Sequence, residues 1–231
     1  IYHHNWISDT LISLNQDYLL EGRQIQRYFL LDYTFDHNRT DIKFYPTAGN
    51  RTTFTLRQMG LGIWDDVFQQ ELSVTHSRFY PLGQKMIYSA SVSGKFSAPM
   101  KQSYLYSKAL GYKNLYVRGY ELYVIDGQYF GLCKQDLKFK LFDKPTLFGH
   151  QSKVSRFGSP SLQVFLKAYF DLGWARDENY ALKNPLLNDR LLYGGGVGLD
   201  FVSFYDIVFS LECSINHLKE KGFYLSLGSY F

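Results

Sequence analysis

Apolar and polar residues alternate with a period of two along most of this chain, most cleanly toward its end. Between 223 and 231 the apolar set is Phe223, Leu225, Leu227 and Phe231, set against Tyr224, Ser226, Gly228 and Tyr230. Between 207 and 215, Ile207, Phe209, Leu211, Cys213 and Ile215 share one face, and Ser210, Glu212 and Ser214 the other. From 162 to 174 one face reads Leu162, Val164, Leu166, Ala168, Phe170, Leu172, Trp174 and the other Gln163, Phe165, Lys167, Tyr169, Asp171, Gly173. Side chains that change face at every residue belong to strands. The same rule predicts nine strands, near 26–36, 50–59, 68–80, 84–97, 128–142, 162–174, 191–202, 206–216 and 222–231. Each reaches roughly the 9–11 residues that a tilted strand needs to cross a bilayer. Helical periodicity is nearly absent, and 6–20 carries the least pattern of either kind.

The links alternate between short ones, Tyr80 to Gly83 and His217 to Lys221, and long ones, 98–127 and 143–161. This predicts short turns at one end of a barrel and long loops at the other. A soluble β-sandwich or lipocalin is the alternative that alternation alone allows. Against it, Lys134, Asp136, Lys138 and Lys140 oppose Leu137, Phe139 and Leu141, so that one face is thoroughly charged and the other continuously apolar. Aromatics near strand ends (Tyr33, Phe35, Phe79, Tyr80, Trp174, Phe201, Phe204, Tyr205) suit interfacial girdles. A strand closing on Phe231 also suits an outer-membrane barrel.

Composition narrows the choice. The 231 residues are 45% apolar and 18% aromatic, with mean hydropathy −0.24, and no long uncharged apolar run is present, which excludes a helical membrane protein. A membrane barrel keeps this low hydropathy because half of each strand faces the lumen. A scattered net charge of +4 gives no nucleic-acid footprint. Cys133 and Cys213 belong to no CxxC or Cys/His grouping, which argues against zinc and against a disulfide scaffold. On strands three apart they are expected roughly 14 Å from one another, as free thiols.

Two motifs carry a family likeness. Val117-Arg118-Gly119-Tyr120, inside the long 98–127 loop, resembles the VRGF/VRGY segment of the BamA/TamA family, the bacterial surface antigen superfamily. Tyr169-Phe170-Asp171-Leu172-Gly173 is similar to that family's FxDxG strand motif. Phe44-Tyr45-Pro46-Thr47-Ala48-Gly49 looks like its YPTxG turn, after a strand ending at Asp36. The resemblance implies a long loop folded into the lumen, with Arg118 held on the inner wall. Alternation puts Asp171 on the polar face, where a carboxylate can take a guanidinium through both oxygens. Gly119 and Gly173 would let the backbones approach, and Tyr120 would pack beside them. Where the family often has a lumenal Glu, this chain has Lys138, and Asp136 on the same face is the substitute partner. Gly194, Gly196 and Gly198 share one face, a smooth wall beside which a loop can pack.

The resemblance implies an all-β transmembrane barrel. The chain would be a single domain, about nine C-terminal strands of a sixteen-stranded barrel, lacking the N-terminal strands and the periplasmic POTRA domains. It implies assembly, insertion or translocation of proteins in the bacterial outer membrane, with no cofactor, metal or covalent step. Partners would be outer-membrane lipid, unfolded outer-membrane proteins and periplasmic or lipoprotein assembly factors. The last strand, through Phe223, Leu225, Leu227 and Phe231, would face lipid and form a seam that templates an incoming strand. A secretion pore of the same superfamily and a passive porin are the alternatives. Enzyme-like groupings are poor: His3-His4 read as surface residues at a frayed start, Asp65-Asp66 as a solvated turn, and no Ser/His/Asp set converges.

Overall fold

A computed structural model describes residues 1–63, 66–145, 161–178, 186–203 and 207–228. Among them ten strands form one antiparallel sheet in the order β1 (Tyr2–Trp6), β2 (Ile25–Thr40), β3 (Gly49–Met59), β4 (Gln69–Pro81), β5 (Met86–Ala98), β8 (Tyr129–Pro145), β9 (Ser161–Arg176), β10 (Leu192–Ser203), β11 (Val208–Asn216) and β12 (Lys221–Leu227). The sheet is open, with β1 and β12 at its edges. Between β5 and β8 the chain leaves the sheet to make a separate two-stranded ribbon, β6 (Lys108–Leu110) with β7 (Ile125–Asp126).

The main sheet has one strand more than the nine expected. Tyr2-His3-His4-Asn5-Trp6 has no apolar alternation to read, yet it pairs with β2 from Tyr2↔Phe29 to Trp6↔Ile25. His3 is therefore no frayed surface residue: its ring stacks on Tyr28 with centroids 5.1 Å apart. A short helix, α1 (Asp9–Leu14), follows in the stretch without pattern. The ends of the other strands shift by a few residues, most at β2, which runs on to Thr40. A bulge between Lys140 and Phe142 breaks the parity of β8 and ends the clean alternation there.

In an antiparallel meander, successive links lie at opposite ends. Links 7–24, 60–68, 99–128, 177–191 and 217–220 share one end, and 41–48, 82–85, 146–160 and 204–207 the other. The expected division into short and long ends needs correction, because the two short links 82–85 and 217–220 fall at opposite ends, as do the two long ones. The longest link, 99–128, still marks one end as the loop end.

Alternation resolves into two chemically different faces. The outer face is bare and apolar; Phe170, Val197, Phe223, Leu225 and Leu227 are among its exposed residues. The inner face is polar and changes along the sheet. Over β2–β5 it mixes hydroxyls, with Thr34–Thr55 at 3.3 Å, Thr75–Ser93 at 3.0 Å and Ser77–Ser91 at 2.9 Å, and half-exposed ion pairs, Asp32–Arg57 and Asp36–Arg51. Over β8–β11 it is charged and covered. Phe79, expected in an aromatic girdle, points inward and is buried.

The sheet also curls. Tyr45, in the turn between β2 and β3, hydrogen-bonds Asp200 on β10 at 2.9 Å. Five strand spacings separate β3 from β10, roughly 24 Å in a flat sheet at ~4.8 Å each. Only a barrel-like wall brings the two together.

Candidate functional site

The site is the inner wall of β8–β11 with the loop 99–128 laid against it. Packing seats the loop first. Leu110, Val117, Tyr120 and Ile125 join Leu132 on β8, Ala175 on β9 and Leu192 on β10 in one buried apolar cluster. Burial of Leu110, Val117 and Ile125 alone supplies roughly 5–9 kcal/mol at ~1.5–3 kcal/mol per side chain. A tight turn then aims Arg118 at the wall: the Tyr120 amide donates to the Val117 carbonyl at 3.0 Å, and Gly119 takes a φ of +97°.

Arg118 is 2% exposed, and its donors are used around the guanidinium. Nε and Nη2 meet the two oxygens of Asp171 at 2.8 and 2.6 Å, and the backbone amide of Arg118 also donates to Asp171, at 3.0 Å. Nη1 donates to Asp136 at 2.5 Å, with Glu212 3.9 Å away. Nη2 further reaches the Gln135 carbonyl at 3.4 Å. The flat face of the cation lies 4.0 Å from the centre of the Tyr169 ring. A fork between two carboxylates is geometry that an ammonium cannot reproduce.

The charge lattice continues past Arg118. Lys167 bridges Glu212 at 2.6 Å and Asp200 at 2.7 Å. Asp200 also accepts from Ser210 at 2.6 Å and from Tyr45. Lys138 sits 4.2 Å from the Tyr45 ring centre, and that ring packs on Phe165 at 4.9 Å. Lys134 donates to the Asn114 carbonyl of the loop at 3.1 Å. The buried set balances, with cations Arg118, Lys134, Lys138 and Lys167 against anions Asp136, Asp171, Asp200 and Glu212. Burial of so many charges is tolerable because Arg118 and Lys167 meet carboxylates, Lys134 a carbonyl and Lys138 a ring face.

Glycines give the lattice its room. A Cβ at Gly173 would sit 2.4 Å from Val117, so this glycine admits the valine rather than the arginine backbone. One at Gly194 would strike the Arg118 carbonyl oxygen, one at Gly196 the Tyr169 ring, and one at Gly198 the side chains of Lys167 and Glu212. Gly119 packs on Asn216 of β11 rather than on Asp171.

The structure thus brings together Val117, Arg118, Gly119, Tyr120, Asp136, Tyr169, Asp171 and Gly173. Phe223, Leu225 and Leu227 stand apart from them on the exposed outer face of β12; Phe231 and Tyr230 lie outside the described residues. Sequence reasoning placed none of Lys167, Asp200, Glu212 or His217 in the site and named Tyr45 only as part of the YPTxG turn. The signal for Lys167 and Glu212 was present, since each falls on the polar face of its strand; that Tyr45 reaches across the lumen had none. Cys133 and Cys213 are free. Among the described residues no cluster of three or more His, Cys, Asp or Glu side chains is arranged to hold a metal ion.

This architecture has a solved counterpart. Over 88% of its length the chain superposes on BamA from Haemophilus ducreyi lacking POTRA domains 1–3, with a TM-score of 0.59 and 14% sequence identity. The fold is similar to part of that BamA barrel. The chain spans 42% of that BamA chain, less than half its length. No protein-family model matches the sequence, and no curated protein matches it either.

Proposed function

We propose that this chain is the C-terminal part of the barrel of an outer-membrane assembly or translocation factor that works without covalent chemistry. The N-terminal strands and POTRA domains would complete it. The observation that carries this reading is the buried Arg118–Asp171–Asp136 lock, which fixes a long loop on the inner wall of a curled antiparallel sheet. The lock holds the 99–128 loop on β8–β9, and β12 would meet the first strand of the completed barrel in a seam whose backbone groups can template an incoming strand. The longer links put the loop end outside the cell and the turn 41–48 on the periplasmic side. Its substrates are unfolded outer-membrane proteins, and the bare outer face meets lipid.

A passive porin fits less well, because the charged half of the inner wall is filled by the loop from one end and by Tyr45 from the other. The test is reconstitution of the full-length protein in liposomes, with a urea-unfolded outer-membrane barrel added as substrate. Faster folding of that substrate than with empty liposomes, lost on Arg118→Ala, supports the reading. Free permeation of small solutes with no effect on substrate folding refutes it.

A further inference from the structure

The lock loop does more than hold itself to β9: its next residues grip the last hairpin. The side-chain amide of Asn216, the last residue of β11, donates to the Gly119 carbonyl at 2.9 Å. Tyr120 is hydrogen-bonded through its hydroxyl to Nδ1 of His217, and the Tyr123 hydroxyl donates to Glu220 at 2.8 Å. Glu121 lies against Tyr224 of β12. All four contacts fall toward one end of the hairpin, at the last residue of β11, in the 217–220 turn or in the first half of β12. The turn is itself pinned, with Asn216 bonded to both the amide and the carboxylate of Glu220 and the His217 amide donating to the Tyr193 carbonyl at 3.0 Å. Among the described residues the other end of β12 is held by backbone bonding alone, down to the Gly228 amide on the Val208 carbonyl at 2.8 Å, with no side-chain clamp from the loop. Leu225 and Leu227 point out, and the Ser226 hydroxyl is buried without a hydrogen-bond partner, so no side chain there grips the loop.

We propose that residues 119–123 clamp the turn of the β11–β12 hairpin, so that β12 separates from its far end near Leu227 and hinges at 216–221. Tyr120, Tyr123, Asn216, His217 and Glu220 are then positioning residues for the seam. An incoming strand meets a fixed turn and a loose tip, and it displaces pairs one at a time from the tip. Because that tip lies at the end opposite the loop, opening starts on the side from which a periplasmic substrate arrives. This inference rests on the proposed function in treating β12 as a seam and in which end faces the periplasm; the clamp itself is a property of the resting barrel.

The test uses the full-length protein in lipid nanodiscs without substrate. Backbone amides of 225–228 should exchange with deuterium at least tenfold faster than those of 221–223. Tyr123→Phe together with Asn216→Ala should raise exchange at 221–223 severalfold and leave 225–228 unchanged. Equal exchange at both ends, or no response to the paired substitution, overturns the clamp whatever the protein does with substrates. A second arm reads function. In a Cys133→Ser background, Phe223→Cys faces the native Cys213 across the β11–β12 ladder, and a short thiol cross-linker there should stop substrate folding. Tyr123→Cys cross-linked to Glu220→Cys, in a chain also carrying Cys213→Ser, should leave folding intact. If the exchange gradient holds while the strand cross-link changes nothing, the assembly reading falls and the clamp stands. If the clamp cross-link itself blocks substrate folding, the hinge is misplaced.

Discussion

Replacing Arg118 by Ala asks how much the lock is worth, and the chain contains its own control. Arg51 holds Asp36 through the same fork, Nε to Oδ1 at 3.0 Å and Nη2 to Oδ2 at 2.7 Å, but with side chains 36% and 40% exposed. Arg118 and Asp171 are 2% and 0% exposed. Identical geometry at opposite burial separates the fork from its surroundings. The exposed pair should contribute about 0–1 kcal/mol, since water solvates either partner once the other is gone. Loss of Arg118 strands two buried carboxylates in a set whose charges otherwise balance, and breaking a buried pair costs about 3–5 kcal/mol. Lys138 and Lys167 remain near Asp136 and Asp200, so the lower end of that range is expected, about 3 kcal/mol. The assay is denaturant unfolding of the full-length protein from lipid vesicles, for Arg118→Ala, Arg51→Ala and Arg118→Lys. Lysine should recover less than half of the loss, because one ammonium cannot serve Asp136 and both oxygens of Asp171. Raising the salt from low to ~0.5 M should shrink the Arg51 effect and leave the Arg118 effect in place. Equal costs for Arg118→Ala and Arg51→Ala would refute the claim that burial makes this fork a lock.

Tyr45→Phe keeps the ring on Phe165 and Lys138 but removes the bond to Asp200, and should cost about 1–2 kcal/mol in the same unfolding assay. Gly194→Ala, which drives a Cβ into the Arg118 carbonyl, should expose the loop to limited proteolysis, whereas Gly131→Ala, with no neighbour within 4 Å of the new atom, should not. Cys213 and Cys133 should both react with a lipid-soluble maleimide in membranes and show no disulfide on non-reducing gels. Asp41, at the base of the 41–48 turn, has its pKa lowered: burial opposes this, but bonds from Thr47, Ala48 and Ile42 overcome it. A lowered folded pKa gives stability that is full above the usual aspartate value of 3.8 and lost as pH falls below it. Protease cleavage in 41–48 should therefore rise below about pH 4 in the parent and be pH-independent in Asp41→Asn.

Much of the wall was legible in the sequence because alternation fixes the face of every strand residue. Asp136 and Asp171 could be placed on the inner side from parity alone, and Arg118 could be sent to them by its motif. Parity does not say which strands curl toward each other, so Tyr45 and Asp200, 155 residues apart, gave no sign of their contact. The first strand escaped notice because histidine and asparagine carry no hydropathy contrast, although Asn5 reaches the Tyr106 hydroxyl at 2.8 Å. Gly119 and Gly173 are expected from the motifs to let two backbones approach, but packing gives them other neighbours: Gly173 admits Val117 and Gly119 lies on Asn216.

The glycine row on β10 has a mechanical consequence. Gly194, Gly195, Gly196 and Gly198 leave one stretch of that strand with almost no side chains to stiffen it, and glycine backbones are the least restricted of all. A curved wall under load bends where it is thinnest, so the bending falls along β10, two strands in from the edge. The wall on one side, carrying Asp136 and Asp171, stays rigid with its buried charges, and the Lys167–Glu212 bridge, 2.6 Å across the glycine row, is what limits how far β11 can tilt about the crease. Filling that row with alanine would stiffen the crease as well as crowd the loop.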